Sequence, residues 1–97
     1  MSALTPASRI KRGRDVLHRE LEGEAVLVDL GTGRFYGLDE VGMRVWHGLG
    51  RETRVSTLVD RVVKEFEVSR PRAEKDLLAL LRELARRRLV TVRPAGR

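Results

Sequence analysis

From residue 15 onward, the order of apolar and polar positions divides the chain into two kinds of segment. Leu17 and Leu21 alternate with polar neighbours, Glu22-Gly23 makes a turn, and Ala25-Val26-Leu27-Val28-Asp29-Leu30 is rich in β-branched residues, so two strands are expected. Gly31-Thr32-Gly33 has the composition of a hairpin loop, with Gly33 free to take positive φ, and Arg34-Phe35-Tyr36-Gly37-Leu38 resumes as a third strand. A type I turn plus bulge at Gly33 would pair Leu30 with Arg34, Val28 with Tyr36 and Val26 with Leu38. That register puts Val26, Val28, Tyr36 and Leu38 on the core face, with Leu27 and Phe35 on the other side.

The period then becomes helical. Asp39 is a natural N-cap, Val41, Val45, Trp46 and Leu49 behind it share one stripe, and Gly48 and Gly50 close the segment. Trp46, the one tryptophan, is expected in the core because it falls on that stripe. Val55, Leu58, Val59, Val62, Val63 and Phe66 follow the spacing i, i+3, i+4, i+7, i+8, i+11, predicting a second helix with Thr53 or Ser56 as its cap. Ser69 caps a third helix with Pro71 in its first turn. This helix runs through Leu77, Leu80, Leu81 and Leu84 to Arg88, ahead of Leu89-Val90-Thr91-Val92. Arg86, Arg87 and Arg88 complement the dipole of its last turn. The expected fold is α+β and winged-helix-like, a three-stranded antiparallel sheet followed by three helices.

Residues 1–14 show no sustained period and are expected to be a flexible basic N-terminal arm, residues 15–92 the folded domain, and residues 93–97 a basic C-terminal tail. With 97 residues, 41% hydrophobic and 35% charged, the chain can bury one core and not two. The absence of cysteine excludes a disulfide framework, a thiolate site and a cysteine nucleophile, and two histidines are too few for a histidine-rich cluster, so no metal is expected. No apolar run reaches the length of a membrane span and the first residues lack the apolar core of a secretory signal; the expected compartment is the cytoplasm, with no membrane partner.

The net charge of +6 raises nucleic acid as a partner until it is placed along the chain. Residues 1–14 carry +4 and residues 86–97 carry +5, which leaves residues 15–85 at −3. The body of the domain is mildly acidic. Catalysis has no support: HExxH, GxSxG, P-loop and GxGxxG patterns are all missing, and His18 and His47 fit surface or singly hydrogen-bonded positions better than ligation. No cofactor is called for.

One periodicity is left over. On the third helix Leu78 and Ala85 lie about 100° from the core stripe, in line with Glu74, Lys75 and Arg82. Such a line is either the margin of a wide core stripe or the wall of a groove. The third strand leads directly into the helices, and its free edge beside such a wall meets the requirement for strand addition by a peptide: backbone pairing for affinity, pockets for alternate side chains.

The run Ala25-Val-Leu-Val-Asp-Leu-Gly-Thr-Gly-Arg-Phe-Tyr-Gly-Leu-Asp-Glu-Val-Gly-Met-Arg-Val-Trp-His-Gly-Leu resembles the PqqD-like family, as does Ala73-Glu-Lys-Asp-Leu-Leu-Ala-Leu-Leu-Arg-Glu-Leu ahead of Leu89-Val90. These proteins are precursor-peptide recognition elements of ribosomally made, post-translationally modified peptides. The resemblance covers about residues 15–92 and implies a non-catalytic fold that binds a leader segment along the third strand, against the third helix. Carried onto this chain, the peptide-binding edge is Arg34, Phe35, Tyr36, Gly37 and Leu38, and the wall is Glu74, Lys75, Leu78, Arg82 and Ala85. A chain of this length with 17 arginines and 3 lysines looks most like the stand-alone proteins of lasso-peptide clusters, whose partners are a precursor leader peptide and a separate leader peptidase or other modifying enzyme. The competing reading is a winged-helix DNA-binding protein. It is weakened because neither the second nor the third helix offers a clean basic face: Arg61 and Lys64 are interleaved with Asp60, Glu65 and Glu67, and Arg82 and Arg86 with Glu74, Asp76 and Glu83.

Overall fold

The computed structural model describes residues 4–94. Four strands come first: β1 (Arg9–Arg12), β2 (Val16–Leu21), β3 (Glu24–Asp29) and β4 (Phe35–Leu38). They are followed by α1 (Glu40–His47), the two-residue β5 (Thr53–Arg54), α2 (Val55–Phe66), α3 (Arg70–Arg86) and β6 (Val90–Arg93). The class is α+β, with the three expected strands and three expected helices in place. The strand order is richer than expected, because two antiparallel sheets are present, β2-β3-β4 and β5-β1-β6.

The second sheet corrects the reading of the chain ends. Residues expected to form a flexible arm instead supply β1, which lies between β5 and β6 with Ile10 fully buried opposite Thr53 and Val92. Upstream, the carbonyls of Pro6 and Ser8 accept the amides of Ser56 and Val55 at 2.8 and 2.9 Å. These satisfy orphan donors at the start of α2, which explains why neither Thr53 nor Ser56 acts as its cap. The N-cap position falls on Arg54, which makes no side-chain cap bond, and the Thr53 hydroxyl donates to the carbonyls of Gly48 and Arg51. Arg93, placed in the tail by sequence, ends β6, and the rest of that tail from residue 95 lies outside the described residues. The folded unit therefore begins well before residue 15.

The hairpin between β3 and β4 differs from the expected register by one residue. Leu30 donates its amide to the Asp15 carbonyl, continuing the β2 side, while Gly33 (φ +76°) donates to Asp29 and Asp29 to Arg34. The loop thus has four residues, 30–33, and Ala25 pairs with Leu38, Val26 with Gly37, Leu27 with Tyr36 and Val28 with Phe35. A one-residue shift exchanges the faces of β3. Ala25 and Leu27 are buried with Leu38, whereas Val26 and Val28 lie on the outer side with Phe35.

The helices follow their periodicity. Asp39 Oδ1 accepts the Gly42 amide at 2.8 Å and Ser69 Oγ accepts that of Arg72. Trp46 is buried together with Leu49, the α2 residues Val55, Leu58, Val59 and Val62, and the α3 residues Ala73, Leu77, Leu81 and Leu84. Helix α3 ends two residues earlier than expected. Leu89 donates to the Leu84 carbonyl and Arg88, at φ +62°, donates to Ala85, the paired bonds of a Schellman motif, with Leu89 buried behind them. This turn sends Arg87 and Arg88 out of the helical path.

Candidate functional site

Strand β4 pairs with β3 on one side only, so its other edge is open among the described residues. The bond from Asp29 to the Arg34 carbonyl fixes the phase of the ladder. By the alternation of an antiparallel pair, Tyr36 and Leu38 direct their backbone groups at β3, whereas Phe35 and Gly37 direct theirs at the open edge. Nothing lies within 4 Å of where a Gly37 side chain would begin. The edge is sterically free and short, four residues long.

The two faces beside this edge differ in character. On the outer face Leu17, Val28 and Phe35 form a row across the three strands, and Phe35 is 73% exposed. On the inner face a cleft of about 340 Å³ separates the start of β4 from the end of α3. Asp29, Thr32, Arg34, Phe35 and Tyr36 line one side, and Arg86, Arg87, Arg88 and Leu89 the other. The guanidinium of Arg87 stacks 5.0 Å from the centre of the Tyr36 ring. Glu83 accepts from both Arg86 and Arg87, at 2.7 and 2.6 Å, and those two hydrogen bonds hold its carboxyl below the usual range while raising Arg86. The triad is exposed, so its contribution is orientation of the two arginines more than stability. Four arginines against one aspartate give the cleft a positive wall over an aromatic floor.

Of the residues singled out by sequence, Arg34, Phe35 and Tyr36 meet at this cleft. Gly37 continues the open edge, whereas Leu38 gives it neither group, because its backbone faces β3 and its side chain is in the core. Along α3, Leu78 and Ala85 are half-buried against the core, Glu74 is half-buried, and Lys75 and Arg82 are exposed; none of the five lines the cleft. Leu78 and Arg82 precede Arg86 at spacings of four, so their helical stripe runs up to the cleft from outside it. The sequence reading missed Asp29, Thr32, Arg86, Arg87, Arg88 and Leu89. The three-arginine run is visible in the sequence as a complement to the helix dipole; Arg86 reaches the cleft from the last turn of α3, and the Schellman turn brings Arg87 and Arg88 across to β4.

A separate cluster joins the two histidines. His18 and Glu20 are two residues apart on the inner face of β2, and His47 ends α1. His18 Nε2 lies 3.5 Å from Glu20 Oε2, and His47 Nε2 hydrogen-bonds the same oxygen. The bond to His47 is the main cause that holds the Glu20 carboxyl below its ordinary value. His47 is thus singly hydrogen-bonded, one of the two positions expected from sequence, and the carboxylate it bonds also lies beside His18.

Residues 24–90 match the family of the coenzyme PQQ synthesis protein D (PqqD). Among solved structures the chain is similar to TbiB1 in complex with the TbiA(beta) leader peptide, with 38% identity over 84% of this chain and 94% of that one and a TM-score of 0.76. No curated protein matches.

Proposed function

The chain belongs to the PqqD family, and on that premise we propose that it binds the leader segment of a ribosomally made precursor peptide as an added strand on β4. The supporting observation is the open edge of Phe35–Leu38 set beside the cleft, in a chain 38% identical to a protein whose structure holds a leader peptide. Backbone pairing to Phe35 and Gly37 supplies affinity without regard to sequence. Successive peptide side chains then alternate between the apolar Phe35 face and the Tyr36–Arg87 cleft, which supplies selectivity.

The protein works as an adaptor in this reading. It carries out no chemistry, needs no cofactor, and presents the leader to a separate peptidase or other modifying enzyme in the cytoplasm, with a lasso peptide as the product class. A titration of the labelled protein with the leader from the same gene cluster tests it. Shifts at the amides of residues 34–38 and 86–89 are expected. Changes confined to α2, or site-specific binding of duplex DNA that persists at physiological salt, would overturn it.

A further inference from the structure

We propose that His18, Glu20 and His47 form a zinc(II) site that joins β2 to α1. The three residues come from elements 29 positions apart at their extremes, yet one ligand atom from each lies within 4.8 Å of the others. Two imidazole nitrogens and a carboxylate oxygen suit zinc in both donor type and number, and a three-residue set leaves the fourth tetrahedral position to water. Zinc bonds of about 2.0–2.1 Å at a tetrahedral angle separate neighbouring ligand atoms by about 3.4 Å. The His18–Glu20 separation of 3.5 Å already has that value, and His47 needs only to withdraw from its present hydrogen bond to admit the ion.

The surrounding packing fixes the donors. His18 and Glu20 stand opposite Leu27 and Ala25, both in the core, so the β2 backbone beneath them is held. The His18 ring meets the buried Trp46 edge-on at 6.4 Å, and Trp46 is the residue before His47. Arg12, the cation stacked on the same indole, is committed to the Trp46 carbonyl at 2.7 Å. All three donor side chains are between 35 and 39% exposed, which gives an ion a path from solvent. The chain as a whole carries +6, so it has no general attraction for cations that could mimic a specific site.

The test is calorimetric titration of zinc chloride into the full, untagged chain after chelator treatment, alongside His18→Ala, Glu20→Gln and His47→Ala. One zinc per chain is expected, and each substitution should weaken binding by at least the roughly tenfold that loss of even an outer-shell partner costs a metal site. Cobalt(II) should give the visible absorption of a four-coordinate ion with the parent chain and lose it with each variant. Metal-free thermal transitions of the variants close to that of the parent establish that they fold. Absence of zinc binding by the parent, or binding that all three variants retain, would overturn the site and leave the cluster as a hydrogen-bonded clamp between β2 and α1.

Discussion

Gly37 carries the sharpest residue-level consequence of the open edge. Its amide points away from β3, so a proline there removes a hydrogen bond to the incoming peptide and none within the sheet, a position edge strands tolerate. Gly37→Pro should therefore abolish leader binding while shifting the thermal transition little. Gly37→Ala, which keeps the amide and meets nothing within 4 Å, should bind normally. A proline variant that binds as well as the parent would show that the peptide lies elsewhere. Arg87 acts through side-chain contact: Arg87→Ala removes the cation over Tyr36 and one wall of the cleft, and should lower affinity by roughly three- to tenfold in fluorescence anisotropy. The aromatic pair and Gly37 were legible as edge residues from the alternation of the chain. The face assignment of Val26 and Leu27 was not, because it depends on whether Leu30 bonds to Asp15 or to Arg34, a choice made by the neighbouring strand and invisible in the loop composition.

At the scale of elements, the helices were the most legible part, since their period of 3.6 over 8 to 17 residues leaves few alternatives. Their ends were less so. Helix α2 begins on amides satisfied by the carbonyls of Pro6 and Ser8, a non-local cap that no local motif announces. It ends on Glu67 at φ +52°, a left-handed conformation that favours glycine. Glu67→Gly should raise stability by about 0.5–1 kcal/mol in chemical denaturation, the scale of relieving a side chain from that region; a loss of stability would mean that the Glu67 side chain contributes more than its backbone costs. The end of α3 bears on the proposed site. Its last residue, Arg86, and the two arginines of its Schellman turn face β4 across the cleft, at the end of the helical stripe that the sequence singled out.

Across the whole molecule the two sheets divide the work. The β2-β3-β4 meander leaves an edge open, whereas β5-β1-β6 joins the beginning of the chain to its end and puts Ile10 in the common core. Four residues, Arg9-Ile10-Lys11-Arg12, carry too little pattern to announce a strand, and β6, the longer of the two ladders that β1 joins, lies some 80 positions away; that is why this sheet escaped the sequence. Its role can be separated from that of the edge. Ile10→Ala deletes a fully buried side chain and should cost about 2–5 kcal/mol by denaturant unfolding. Because Ile10 lies in the other sheet and does not line the cleft, the fraction that remains folded should bind the leader with parental affinity. Gly37→Pro should show the opposite pairing of effects. If Ile10→Ala instead weakened binding in proportion to its loss of stability under conditions where the chain is fully folded, the two sheets would be coupled, and the edge would depend on the packing of the chain ends.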